Sequence, residues 1–494
     1  MKKNLYDLME KTDAPMLGDV TDGIRPEKMP RDMQKRIEKK ISKGSAAAPL
    51  RRALIPALAA ALCLAVFFGV LAATGAFKRG DPEGTAENTS GDTQYAGPGT
   101  EQGGVVLLTS PVFSSDRSAA PLSEEFRRAY CSFSVELLKR AGGSGSALVS
   151  PLSVYIAMLT VTNGAKGETQ EELRRTLGGE LTVEHLNGNL FSFFESLSNG
   201  ADARLESANS VWLTDRTDFH VNGEFIKLVE NTFRADIYTA PFSEKSTVDA
   251  VNRWCSYRTN EMIKEILDYE DVSFRTVSVL VNALSFDALW AEQYEKKDTG
   301  SAVFHGESGN REVLMMYSNE SRYLSGEKEK GFLKNYAGGG YAFMALLPEK
   351  GTSVDDYLSG LTGDRFIELC ASEDIPVRCG LPAFSLDWSG SLAEVFQSMG
   401  VGLAFDRVRS DLSGLGYVDS GDPLYIEKII HKAHIDVDES GTRAAAATAV
   451  VVADEAASPD PVGRAVILDR PFVYAIVDTS SMLPVFIGTV RDVK

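Results

Sequence analysis

The stretch IHKAHIDVDESGTRAAAATAVVVADEAASPDPVG, Ile430–Gly463, decides how the rest of the chain is read. With YIEKI before it, its first part reads as a strand, since Ile435 and Val437 alternate with polar neighbours. From Thr442 onward more than 20 residues run to the next strand, RPFVYAIVD at Arg470. Connections of that length inside a compact domain are uncommon and usually functional. The alanine run by itself favours helix. Val450, Val451 and Val452 disfavour helix and favour strand, so the segment suits either structure. The sequence describes a loop able to become a strand.

Outward from this loop the texture is globular as far back as Leu122. SEEFRRAYCSFSVELLKRA and VDAVNRWCSYRTNEMIKEIL read as helices, and SVWL, VSVLVNALSF, GYAFMALLP and PFVYAIVD as strands. The order is mixed, without strict strand and helix alternation, which predicts an α+β architecture. Hydrophobic residues make up 44% and charged residues 24% of the 494, enough apolar material for one large core.

Net charge is −18, which argues against nucleic acid as a partner, because a phosphate backbone needs a basic face. The charge is unevenly divided by an uncharged run, Ala53 to Phe77. Thirteen Lys and Arg against eight Asp and Glu leave the segment before it at about +5 and everything after it at about −23. About 25 apolar residues give roughly 37 Å of helix, against a hydrocarbon core of about 30 Å. The run is apolar all round and sits behind about 50 polar residues, unlike a core helix or a secretory leader.

Residues 53–77 are therefore expected to span a membrane, with basic residues 1–52 in the cytoplasm and the remainder outside the cell. Within 1–52 an amphipathic helix is expected around Pro30 to Lys43. Residues 78–121, rich in Gly, Ser, Thr and Pro, read as a flexible stalk that holds the domain of residues 122–494 off the membrane.

Five cysteines form no CxxC pair, and an external compartment would permit a bridge between Cys370 and Cys379. His431 and His434 lie three apart without an HExxH pattern or carboxylates at ligand spacing, so no metal is expected, and no cofactor. GxSxG and Walker A motifs are absent, so the chain is not expected to be an enzyme.

VSPLSVYIAMLTVTNGAKGETQEELRRTLG at Val149, ANSVWL at Ala208, VNALSF at Val281 with Trp290 beyond, FMALLPEKG at Phe343 and the hinge IHKAHIDVDESGTRAAAATAVVV occur in order. RPFVYAIVDTSSMLPVFIGTV closes the chain. Over about 370 residues this resembles the serpin family of serine protease inhibitors, in an inhibitory, membrane-anchored, bacterial-like form. The resemblance implies three β-sheets, about nine helices and an exposed reactive-centre loop, here preceded by one transmembrane helix. It also implies a monomer that traps an extracellular serine, or alternatively cysteine, protease as an acyl-enzyme while the cleaved loop enters the main sheet. The rival expectation is a non-inhibitory serpin acting as a surface binding module.

Carried onto this sequence, the loop hinge is Glu439, Gly441, Thr442, Ala444, Ala445, Ala446 and Ala447. Gly441 is expected to supply unusual backbone torsions. Alternate positions from Thr442 through Val452 are small or β-branched and uncharged, as burial in a sheet requires. Arg443 departs from the acidic residue common there but has the opposite parity. Ala383 stands where the family often has a base for the hinge glutamate, so the hinge is expected to be looser than usual.

The family's spacing puts the reactive bond between Glu455 and Ala456, which implies a glutamyl-specific target. Cleavage after Asp454 would suit an aspartate-specific enzyme, and cleavage after Val452 or Ala453 an elastase- or subtilisin-like one. Ser150, Ser153, Asn282 and His431 match the cluster around which the sheet opens, and Trp290 matches the point of first insertion. The alternative for each is simply a hydrogen-bonded core residue; for His431 the two readings stand level.

Overall fold

The computed structural model describes residues 104–108, 120–197, 202–233, 235–372, 374–427, 429–443 and 464–493. The expected helix at 30–43, the expected span at 53–77 and loop residues 444–463 lie outside the described residues. Among the described residues no helix is long and apolar enough to cross a membrane.

Nine α-helices are described: α1 (Glu124–Ala141), α2 (Pro151–Gly164), α3 (Gly167–Gly178), α4 (Val183–Ser196), α5 (Gly223–Phe233), α6 (Lys245–Arg258), α7 (Val354–Gly360), α8 (Gly363–Cys370) and α9 (Ala393–Ser398). Helix α1 forms where Ser123 caps its first turn by accepting from the Phe126 amide. Glu124 and Glu125 then meet the positive end of the helix, and Lys139 and Arg140 the negative end. Its apolar face buries Phe126, Tyr130, Phe133 and Leu137. Helix α6 stops at Arg258, short of the expected Leu267, because Asn260 and Glu261 take positive φ angles of 49° and 63°.

The main sheet has seven strands: β1 (Val106–Leu107), β2 (Ala203–Thr214), β3 (Asp236–Ala240), β4 (Ser278–Leu289), β5 (Phe384–Ser391), β6 (Ile430–Val437) and β7 (Gly441–Arg443). Their order is β1-β3-β2-β4-β7-β6-β5, with β2 and β3 parallel and every other neighbouring pair antiparallel. A six-stranded sheet contains strands 472–478 and 484–490, in which every residue is buried. A four-stranded sheet includes 377–382 and 465–467, and a two-stranded ribbon joins 219–221 to 416–418. Helix α2, buried along nearly its whole length, packs against both the main sheet and strand 484–490.

Three further expectations change. The segment read wholly as stalk contains β1, whose Val106 and Leu107 pair with Thr239 and Tyr238 at the edge of the sheet. An open edge offers unpaired backbone groups, and Leu107 packs against an apolar cluster centred on Trp212 and Trp254. The strand expected from Tyr425 begins only at Ile430. Cys370 and Cys379 are free, buried thiols: Cys370 Sγ lies 3.7 Å from Met344 Sδ, while Cys379 Sγ faces the Val377 carbonyl. Burial pushes both thiols up, Cys370 to about 12, so neither is a ready thiolate.

Candidate functional site: the sheet opening at the loop hinge

Strand β7 is the first piece of the loop, and it is already inside the main sheet. Gly441 and Thr442 pair with Leu289 and Ala288 on β4, while Thr442 and Arg443 pair with Val437 and Asp436 on β6. The turn between β6 and β7 follows from DESG. Asp438 Oδ1 accepts from the amides of Ser440 at 2.7 Å and Gly441 at 3.1 Å, and the Asp438 amide donates back to the Gly441 carbonyl. A short carboxylate that satisfies amides two and three residues ahead is what closes such a turn.

Three donors from the β4 end hold this turn in place. The Trp290 indole N–H reaches the Asp438 carbonyl at 2.8 Å, the Trp290 amide reaches Ser440, and the Tyr294 amide reaches Glu439. Trp290 is itself fixed by stacking on Tyr336, with ring centroids 4.5 Å apart and planes 10° off parallel. The Lys334 ammonium sits 5.4 Å from the Trp290 ring and 4.4 Å from the Tyr294 ring, paired with Glu320 at 2.9 Å. Ala383 offers Glu439 no ion pair, and the turn is held instead by two backbone amides and the Trp290 indole.

Gly441 corrects a second expectation. It is not among the glycines with left-handed torsions; its role is close approach, since a Cβ there would lie 2.0 Å from the Ala288 carbonyl oxygen. Thr442 is 1% exposed, and its hydroxyl meets that of Tyr336 at 2.6 Å. Burial pushes the Tyr336 phenol well up, so it keeps its proton.

Farther down the sheet, β4 and β6 are not joined by any described strand. A cavity of about 260 Å³ lies there, lined by Ser278 and Leu280 of β4, Ile430 and His431 of β6, and Ser153 and Met158 of α2. His431 Nε2 accepts from the Ser150 amide at 3.1 Å, so the ring proton belongs on Nδ1. Ser150 Oγ caps α2 through the Ser153 amide and donates to the Val485 carbonyl. Burial holds the His431 ring down at about 4, neutral at physiological pH.

The structure thus brings Ser150, Ser153 and His431 together, the last two lining the cavity, and Trp290 to the hinge at the opposite end of β4. Asn282 lies between them on β4, opposite Asn209 of β2, with its side chain outside the described residues. The hinge alanines 444–447 and the bond candidates Val452, Ala453, Asp454, Glu455 and Ala456 fall in the segment outside the described residues. Sequence reasoning missed Tyr336, Lys334 and Glu320. Tyr336 lies in the turn NYAGGGY, 106 residues from Thr442, and no local pattern marks it as the hinge's partner.

Residues 128–493 match the family model described as Serpin (serine protease inhibitor). Leukocyte elastase inhibitor A of Rattus norvegicus is 30% identical over 388 residues, covering 74% of this chain and 99% of that protein. Neuroserpin of Mus musculus is 28% identical over 375 residues, covering 72% and 88%. Among solved structures, the thermophilic serpin tengpin in its native state superposes with a TM-score of 0.72 at 36% identity, covering 79% of this chain and all of tengpin.

Proposed function

The chain belongs to the serpin family of serine protease inhibitors, and from that premise we propose that it is an inhibitory member that traps its target by inserting the cleaved loop as a new strand between β4 and β6. One observation carries this reading: the hinge has started into the main sheet, with Thr442 seated between Ala288 and Val437, and below it no ladder among the described residues joins β4 to β6. Continuing the register of β7 would set Ala444 between Phe286 and Ile435, Ala446 between Leu284 and Ala433, and Thr448 between Asn282 and His431. Val450 and Val452 would then reach Leu280 and Ser278 in the cavity.

Residues 441–452 would match the 12 residues of β4 one for one. Every inward position in that series is Thr, Ala or Val, small enough for a closely packed slot.

Serine proteases are the first target class and cysteine proteases the second. With Glu455 at the reactive bond the target is glutamyl-specific; elastase- or subtilisin-like enzymes follow if cleavage falls after Val452 or Ala453. The apolar run 53–77 and the basic segment before it support a single-pass anchor in the cell membrane with the inhibitor outside.

The test is to mix the protein with glutamyl, elastase-like and subtilisin-like proteases and look for complexes that survive SDS. A stable complex with at least one is expected. Cleavage of the loop by all of them without any stable complex overturns the inhibitor reading.

A further inference from the structure

Across the outer face near the top of the main sheet, one row of residues alternates in charge from strand to strand. Arg204 of β2 faces Asp287 of β4. Thr442 of β7 faces Ala288, so position 443 comes level with Asp287 on one side, and on the other side Arg443 is paired with Asp436 of β6. Thr442 is on the buried face, so by strand alternation position 443 falls on the outer face with the two aspartates. The row reads Arg204, Asp287, Arg443, Asp436. One row further along, His434 Nδ1 lies 2.6 Å from Asp387 Oδ1, with its Nε2 4.0 Å from Asp436. The Asp436 side chain is only 18% exposed, so solvent screens it weakly.

We infer that Arg443 is a positioning residue for loop entry: between Asp287 and Asp436, it holds the hinge in the sheet and commits the loop to insertion. If β7 withdrew and β4 and β6 closed together, the two aspartates would become cross-strand neighbours on strands about 4.8 Å apart, and like charges directly opposite are destabilising. The aspartates thereby keep this level of the gap receptive to a cation, and Arg443 is the loop residue that arrives there. The ladder also fixes register, because a slip of one residue would bring Thr442 or Ala444 to that level and turn the inserted face outward. As a device of inhibition, this role rests on the inhibitor reading above; as an anchor of the hinge it does not.

Hydrogen exchange of the 441–443 amides in the intact, uncleaved chain tests the anchor. Arg443→Glu should exchange about tenfold faster than wild type at low salt, Arg443→Lys should match wild type, and about 1 M NaCl should bring the wild type toward the Glu variant. Protection of strands 472–490 serves as the control for folding. Equal exchange in wild type and Arg443→Glu overturns the inference.

The number of inhibitor molecules consumed per protease trapped tests the role in inhibition, and for Arg443→Glu it should rise several-fold at low salt. If wild type and Arg443→Glu trap the protease equally well, Arg443 does not direct insertion, while the inhibitor reading stands. If wild type traps no protease yet the exchange rates respond to Arg443, the inhibitor reading fails and the anchor remains.

Discussion

The hydroxyl of Thr442 lies 2.6 Å from that of Tyr336, and the Tyr336 ring stacks on Trp290, whose indole N–H in turn holds the hinge carbonyl of Asp438. The first residue of the loop to be swallowed and the aromatic residues at the mouth of the sheet are thus one connected unit. Tyr336→Phe keeps the stacking and removes one partner from a buried hydroxyl, a loss of about 1–2 kcal/mol. The 441–443 amides should then exchange roughly tenfold faster. Unaltered exchange would show that this bond does not retain the hinge.

Gly441→Ala places a methyl group 2.0 Å from the Ala288 carbonyl oxygen, a separation that backbone cannot tolerate. The variant should lose hinge protection while its melting temperature stays within a few degrees of wild type, because the clash is relieved by withdrawing β7. Wild-type protection in this variant would mean that β7 and β4 are not as close as described.

Thr442→Arg would bury an unpaired cation where a small hydroxyl now sits, at a cost of several kcal/mol. Wild-type protein cleaved within the loop should melt well above the uncleaved form, since the freed loop completes the sheet. The variant should lose most of that gain and behave as a substrate rather than an inhibitor. Calorimetry on cleaved and uncleaved samples decides the matter; an equal gain in both proteins would mean that residue 442 does not enter.

His431 gives the native state a pH dependence of defined sign. Unfolded, its ring takes a proton near pH 6.5; folded, burial delays that to about 4, so between these values the unfolded chain binds more protons. The stabilisation from the neutral ring is complete above pH 6.5 and lost as pH falls through 4, amounting to roughly 3 kcal/mol. The melting temperature should drop between about pH 7 and pH 4.5, and less steeply in His431→Asn. Parallel profiles for the two proteins would rule out His431 as the source.

The bait position makes its own prediction. Glu455→Ala should abolish a stable complex with a glutamyl endopeptidase, whose pocket must offer a cation or aligned donors to a desolvated carboxylate. Mass spectrometry of the released C-terminal fragment should show it beginning at Ala456. A fragment beginning at Ala453 or Asp454 would move the bait to Val452 or Ala453 and end the acidic assignment.

The sequence by itself determined that Glu124–Ala141 is a helix, that Tyr341–Pro348 and Phe472–Asp478 are strands, and that the loop after Val437 has one face of small uncharged residues. These are local properties, carried by periodicity of two or 3.6 residues and by capping chemistry, and they survive any tertiary arrangement. Only the tertiary structure decided that residues 441–443 pair within the main sheet, why Gly441 is a glycine, and what receives Thr442. Those facts depend on contacts between residues 100 or more apart, such as Thr442 with Tyr336 and Gly441 with Ala288. Arg443 shows the difference most directly. In the sequence it is a departure to be discounted on parity, and it gains meaning only when β4 and β6 set Asp287 and Asp436 on either side of it, because strand register, unlike strand identity, is fixed by the partner.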